Sequence, residues 1–234
     1  MNILVTGASN GIGNQLVRIL CLNSDNSVVG IARSSEKLNR LASEINDYEK
    51  GGKFYPISFD LSSNNISNLL IPEVLQFIPT VDVLINNAGL LINKPFAEMT
   101  DEDFDSMFNI NVKASFKLVR DLLPYFSKNA HIVNISSMGG YQGSAKFNGL
   151  SLYSASKAAL AVLSECLALE LGEKQISVNA LALGAAQTEM LHQAFPGYKA
   201  PLSALEMATF IADFATSGHK YFNGKILPVS VSTP

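Results

Sequence analysis

Apolar and polar positions along the chain follow two periods, and each change of period marks a new element. Asn2 to Val5 is a short apolar run of buried-strand type. It passes through Thr6-Gly7-Ala8-Ser9-Asn10-Gly11-Ile12-Gly13 into a stretch whose apolar residues, Leu16, Ile19 and Leu20, have helical spacing. A second strand is predicted over Ser27 to Ile31, followed by Ala32-Arg33-Ser34-Ser35 and a charged helix to about Asp47. Gly51-Gly52 marks a turn, Lys53 to Phe59 reads as a third strand, and a helix around Ile66 to Ile78 is interrupted by Pro72. Val81 to Ile85 is a buried-looking fourth strand. From Thr100, with Asp101, Glu102 and Asp103 suited to a helix N-terminus, an apolar helical pattern runs to about Phe126. His131 to Ile135 is the fifth strand, and a glycine-rich loop from Gly139 to Gly149 leads to a helix opening at Ser151 or Ser154 and ending near Leu171. Ser177 to Leu183 is the sixth strand, Gln187 to Ala200 reads as irregular, and a helix from Ser203 to Phe214 precedes a last strand near Lys225 to Val229.

Strands and helices alternate from end to end without a repeat, a low-complexity tract or a linker. Such alternation predicts right-handed crossovers and a parallel sheet. The expected architecture is α/β, a Rossmann-type doubly wound three-layer fold with about seven parallel strands, forming a single domain over residues 1–234 with a short lid at about 185–200. At 234 residues and 47% hydrophobic content, one full core is affordable on length alone.

Composition narrows the function by exclusion. The net charge is -3 and the 17 basic residues are scattered, so no electrostatic footprint for nucleic acid exists. Glu165, Glu170 and Glu173 interrupt the longest apolar stretch, so no membrane span is expected, and Ile3-Leu4-Val5 begins too early for a leader peptide. Cys21 and Cys166 lie far apart in helical patterns, which suits a reducing compartment, and a cytoplasmic location is expected. No His, Cys or carboxylate cluster has metal-ligand spacing, and His131, His192 and His219 fall in no motif.

Two stretches carry candidate chemistry. Glycines at the first strand-to-helix turn permit a tight bend and let backbone amides approach a pyrophosphate at a helix N-terminus. Tyr153 and Lys157 stand four apart on one helix and therefore share a face one turn apart. An ammonium beside a phenol stabilises the phenolate, so the Tyr153 pKa is expected to fall and the phenol to exchange protons near neutral pH.

Thr6-Gly7-x-x-x-Gly11-Ile12-Gly13, Asn86-Asn87-Ala88-Gly89, Ser136-Ser137 and Tyr153-x-x-x-Lys157 occur in that order, each at a predicted strand end or on the helix beside one. With them the chain resembles the short-chain dehydrogenase/reductase family in its compact form, over nearly its whole length. The resemblance implies that Tyr153 is the general acid of ketone reduction, that Lys157 lowers its pKa and holds the nicotinamide ribose, and that Ser137 bonds the substrate oxygen. Ser136 is an equally good hydroxyl by sequence. Asn111 matches the helix asparagine that holds a water linking the lysine to solvent; the alternative is an exposed mid-helix residue. Gly7, Ser9, Asn10, Gly11, Ile12 and Gly13 match the pyrophosphate turn. Asp60 and Leu61 match an adenine-contacting pair, with helix capping as the alternative for Asp60. Asn87, Ala88 and Gly89 match the lining of the adenosine ribose, and Gly184 and Thr188 match the loop that holds the nicotinamide carboxamide.

Cofactor choice turns on the end of the second strand, where Ala32 and Arg33 stand in place of a carboxylate. Arg33 would pair with a 2'-phosphate, which favours NADP(H) over NAD(H), although Asn10 sits where many NADP-preferring members carry a second basic residue. Leu183-Gly184 replaces the usual Pro-Gly, the Gly139 to Gly149 loop is longer than usual, and Ser230 to Pro234 lacks a common glycine pair. The lid residues Met190, Leu191, Phe195 and Tyr198 suit an apolar carbonyl or alcohol substrate, or simply close over the sheet. A fatty-acyl substrate on a carrier protein would need basic surface near the lid, where Lys199 alone stands. The family's habit of pairing helices implies a homodimer or homotetramer through residues 101–126 and 151–171. A non-catalytic dinucleotide-binding protein on the same fold is the rival reading.

Overall fold

The computed structural model describes residues 1–48 and 51–231; Ser232, Thr233 and Pro234, to which the expectation about the chain end partly refers, lie outside the described residues. The strands are β1 (Asn2–Thr6), β2 (Ser27–Ala32), β3 (Lys53–Ser58), β4 (Val81–Asn86), β5 (Phe126–Ser137), β6 (Ser177–Leu183) and β9 (Ile226–Val229), with β7 (Ala186–Gln187) and β8 (Leu202–Ser203) forming a separate small pair. The seven form one sheet in the order β3-β2-β1-β4-β5-β6-β9, parallel throughout. Strand order reverses between β1 and β4, which opens a crevice at their carboxyl ends.

The sheet is covered on both faces because its strands are apolar on both. In β1, Ile3 and Val5 face one core with α1 (Gly11–Leu20), α2 (Ser35–Asn46) and α8 (Ala204–Ser217), while Leu4 faces the other. That second core is closed by α3 (Ile71–Phe77), α5 (Ala114–Leu122) and α6 (Ser151–Glu170). The alternation follows from the two-residue period of a strand. Cys21 is buried in the first core, where burial pushes its thiol pKa up to about 12, so it acts as a small apolar residue.

Four expectations change. Pro72 does not interrupt a helix: a wide π turn over Ile66–Leu70 comes first, and Pro72 sits in the opening turn of α3, where its missing N–H costs nothing. The helix expected from Thr100 to Phe126 is α4 (Asp101–Phe108), a π turn over Asn109–Lys113, and then α5. β5 begins at Phe126, five residues early. Polar Ser127-Lys128-Asn129 masked its first half, and Asn129 at φ 64° accompanies a register shift against β4 between Val81 and Val83. α7 (Glu189–Ala194), capped by Thr188, lies in the stretch read as irregular. In addition, α6 is long and apolar enough by composition to span a bilayer, despite its glutamates, yet here it packs along β5 and β6.

His131 braces β5 against α8. Its Nδ1 lies 2.9 Å from the Ala215 carbonyl oxygen, which can only accept, so Nδ1 carries the proton; Nε2 then accepts from Asn179 Nδ2 at 3.0 Å. Burial lowers its pKa to about 4. Between pH 6.5 and 4 the unfolded chain therefore binds a proton that the folded chain refuses, and stability falls as the pH falls through that window. Chemical denaturation of wild type and His131→Gln at pH 7 and pH 4 is expected to show wild type losing about 3 kcal/mol more than the variant on acidification.

Candidate active site

The crevice is held open by Thr6. Its hydroxyl oxygen accepts from the backbone N–H groups of Asn87 and Ala88 at 3.0 and 2.9 Å, and its carbonyl accepts from Asn87 Nδ2 at 2.9 Å. The end of β4 is thereby pinned to the turn after β1. In that turn Gly7 and Gly11 have φ of 70° and 52°, which disfavour any side chain. A Cβ on Gly13 would overlap the Gly7 carbonyl and stand 2.6 Å from Asn87 Nδ2. The turn thus leaves backbone where a pyrophosphate must approach, and its residues fit a dinucleotide.

The end of β5 supplies the second half. Ser136 is buried and its hydroxyl donates to the Lys157 carbonyl at 2.8 Å, fixing α6 to the sheet. Ser137 points the other way, stands beside Tyr153, and accepts from Gly139 N–H at 3.2 Å. The two serines, equal by sequence, are separated by strand alternation. Lys157 is buried; its Nζ donates to the Ile135 carbonyl at 2.8 Å and lies 5.9 Å from the Tyr153 ring centroid.

This arrangement overturns the expected direction of the phenol's shift. Burial raises the Tyr153 pKa above its ordinary value, with the Ser137 hydrogen bond opposing it, and Lys157 does not reverse the balance. Burial also lowers the Lys157 pKa, to about 8. A protonated phenol thus stands beside an ammonium that sheds its charge more readily than an exposed lysine.

Asn111 sits on the π turn between α4 and α5, which rotates it inward, and it is fully buried. Its Oδ1 accepts from Leu90 N–H at 2.7 Å, while Nδ2 donates to the Leu90 carbonyl and the Ser156 hydroxyl, both at 2.9 Å. Ser156 in turn donates to the Tyr153 carbonyl at 2.7 Å. The exposed mid-helix alternative is excluded, and the side chain's bonds go to protein groups.

The remaining predicted residues are distributed around the same crevice. Gly89 lies where a Cβ would meet Lys157 Nζ at 3.3 Å and Asn111 Oδ1 at 3.4 Å. Ser9 and Asn10 lie on the glycine turn, and Ile12 packs on the first core. Arg33 follows β2 and is exposed. Asp60 accepts from Ser62 N–H at 2.9 Å within a turn, which with neighbouring Arg33 holds its carboxyl below the usual range; the next helical turn begins only at Ile66, with Asn65 before it, so Asp60 caps no helix, and Leu61 is buried in the second core. Gly184 is required by close packing, since a Cβ there would meet Ser230 Cβ at 2.8 Å. Thr188 accepts from Leu191 N–H at 3.2 Å, and its methyl faces Gly11, leaving the hydroxyl proton free to donate. Four participants escaped the sequence reading. Thr6 was named only as part of a motif, Ser156 sits inside a run of small residues, and Lys37 and Asn93 carry no local signal. Asn93 donates from Nδ2 to the Ala194 carbonyl at 2.8 Å, tying the segment after β4 to the lid.

A reversed strand order, a glycine turn at the switch point and a Ser-Tyr-Lys group across the crevice define a dinucleotide-binding oxidoreductase of Rossmann type. The model of the short chain dehydrogenase family matches residues 1–199, and the chain belongs to that family as an NAD(P)-dependent oxidoreductase. Nodulation protein G of Rhizobium sp. is 31% identical over 97% of this chain and 94% of its own length. The 3-oxoacyl-(acyl-carrier-protein) reductase FabG of Thermotoga maritima is 33% identical over 80% of this chain and 74% of its own. Among solved structures, a short chain dehydrogenase from Burkholderia cenocepacia in complex with NADP superposes with a TM-score of 0.87 at 25% identity, covering 99% of this chain and 96% of that one.

Lys157 makes stability depend on pH in the cofactor-free protein. Its folded pKa of about 8 lies below the 10.5 of an exposed lysine, so from pH 8 upward the unfolded chain holds the extra proton and stability rises with pH. Above the ordinary phenol range Tyr153, kept protonated by burial, acts in the opposite sense. Denaturation of wild type and Lys157→Met at pH 7 and 9.5 is expected to show wild type gaining roughly 2 kcal/mol relative to the variant.

Proposed function

We propose that the protein reduces a carbonyl, or oxidises the corresponding secondary alcohol, with NADP(H), and that Tyr153 is its general acid and base. The observation that carries this reading is the placing of Ser137 and Tyr153 beside each other at the carboxyl end of β5, with Lys157 next to the Tyr153 ring and the glycine turn across the crevice. When bound, the nicotinamide supplies or receives the hydride. Ser137 and Tyr153 converge where a substrate oxygen accepts a bond from each. In reduction, the carbonyl carbon gains the hydride while its oxygen takes the Tyr153 proton, leaving a phenolate that the Lys157 ammonium stabilises. The raised pKa of Tyr153 serves this direction, because the acid enters the cycle protonated.

Gly7, Ser9, Asn10, Gly11, Ile12 and Gly13 would hold the pyrophosphate; Asn87, Ala88, Gly89, Asp60 and Leu61 the adenosine; Thr188, Gly184 and Lys157 the nicotinamide end. Arg33 at the end of β2, with no carboxylate beside Ala32, supports NADP(H), as does the NADP complex of the Burkholderia relative. Asn111 acts as a positioning residue, bracing Leu90 and Ser156. No residue of α7 is buried, and Met190 and Tyr198 are exposed, so the lid's apolar side chains are available to an apolar substrate rather than spent on closing over the sheet. The name of the Thermotoga relative favours a 3-oxoacyl compound within that class. Free Cys21 and Cys166 accord with a cytoplasmic setting.

Purified protein with NADPH and a panel of ketones, aldehydes and 3-oxoacyl thioesters is expected to turn over. Tyr153→Phe is expected to lower kcat by about a thousandfold with NADPH affinity kept, since a positioned proton donor is worth 10²–10⁴ in rate. Tight NADPH binding with no turnover on any substrate would instead establish a dinucleotide-binding protein without catalysis.

The helices expected to pair between copies present an apolar face. Phe104 and Phe108 stack with centroids 4.3 Å apart, and Phe108, Val112, Phe116 and Leu163 line a shallow hollow of about 340 Å³ between the α4–α5 segment and α6. A second copy pairing across this face would bury it. Sedimentation of wild type is expected to show a dimer or tetramer, and Phe116→Asp a smaller species.

A further inference from the structure

Resting on the NADP(H) reading, a second cation comes into view beside the adenosine end of the crevice. Ser34 caps α2 by accepting from Lys37 N–H at 3.3 Å, which fixes Lys37 on the first turn, facing the glycine turn after β1. Lys37 Nζ donates to Asn10 Oδ1 at 2.9 Å. The same ammonium lies 3.7 Å from Glu189 Oε2, on the first residue of the lid helix α7. One side chain therefore joins the pyrophosphate turn, the helix after β2 and the lid. Both charged groups are well exposed, so the ion pair adds little to stability and is readily exchanged. Arg33, four residues earlier, is the other cation of this corner, and the neighbouring carboxylate there is Asp60, which is committed to Ser62.

We infer that Lys37 is a specificity-determining residue for the 2'-phosphate, and that it reaches this role by exchanging Glu189 for the phosphate. A 2'-phosphate is a doubly charged acceptor and outcompetes an exposed carboxylate for the ammonium. Asn10, which lacks a charge of its own, steers Lys37 into the position through its side-chain oxygen. The exchange frees Glu189, and like-charge repulsion from the phosphate moves it away, so the N-terminal end of α7 is released by NADP(H) and not by NAD(H). The far end of α7 stays tethered through Asn93 and the Ala194 carbonyl, which makes the freed end the hinge-out side of the lid. Cofactor identity is thereby read out at the substrate mouth.

The test is equilibrium binding of NADPH and NADH, followed by quenching or calorimetry, to wild type, Lys37→Met, Lys37→Arg, Glu189→Gln and the double variant Lys37→Met/Glu189→Gln. Lys37→Met is expected to weaken NADPH by about tenfold or more while NADH stays within about twofold, and Lys37→Arg to keep most of the preference. Glu189→Gln is expected to tighten NADPH by about two- to fivefold with NADH unchanged, and that gain is expected to vanish in the Lys37→Met background. Hydrogen exchange at 189–194 is expected to rise with NADPH and not with NADH in wild type, and to be high without cofactor in Glu189→Gln. Equal weakening of both nucleotides by Lys37→Met, or a Glu189→Gln effect that persists without Lys37, overturns the inference. A wild type that prefers NADPH by a margin that Lys37→Met leaves unchanged overturns it alone; a wild type that prefers NADH overturns the cofactor reading with it.

Discussion

The crevice depends on the seam between β1 and β4, and that seam depends on Thr6. Two parallel strands that send their following helices to opposite faces of a sheet diverge at their carboxyl ends, and the backbone groups exposed there need partners. Thr6 supplies them for both chains at once, accepting from Asn87 and Ala88 through its hydroxyl and from the Asn87 side chain through its carbonyl. With the two loops tied to each other, neither needs to fold inward to satisfy itself. The glycines of the first turn can then remain bare, since Gly7 and Gly13 face the pinned Asn87 and Ala88 at distances that admit no side chain.

A second brace carries the same logic across to α6. The π turn at Asn109–Lys113 adds one residue to a helical turn, and the added residue brings Asn111 under the Leu90 peptide, where its amide behaves like a backbone group in a sheet. Through Ser156 this amide reaches the Tyr153 carbonyl, and through Ser136 the sheet reaches the Lys157 carbonyl. Tyr153 and Lys157 are therefore held at their backbone by buried hydroxyls, and the Lys157 ammonium is held in turn by the Ile135 carbonyl. Further along β5, Asn134 continues the pattern, accepting from Asn86 and donating to Ser164 on α6 at 2.8 Å each. These buried polar groups offset their desolvation by closing chains of bonds between elements.

Electrostatics at the reactive pair is governed by burial more than by mutual attraction. The Lys157 Nζ is engaged by the Ile135 carbonyl, and burial shifts both groups toward their neutral forms. The exposed Lys37–Glu189 pair stands at the opposite extreme, weak and exchangeable, at the edge where the lid meets the nucleotide turn.

Much of this architecture is written locally. The alternation of two-residue and helical periods marks out the seven strands, and the ordered motifs from Thr6 to Lys157 place glycines and hydroxyls at strand ends, because those properties depend on residues adjacent in the chain. The breadth of β5, the division of one helix by a π turn at Asn111 and the short α7 were not legible, since each is set by partners far away in sequence: Val81, Leu90 and the turn at Gly11. The choice between Ser136 and Ser137 and the upward shift of Tyr153 likewise required the folded sheet, which alone fixes the direction each side chain faces and how deeply it is buried. Lys37 is the plainest case, an ordinary lysine of a charged helix by sequence, given its neighbours Asn10 and Glu189 only when three distant segments converge. Periodicity is a property of neighbours along the chain, whereas proximity and desolvation belong to the fold.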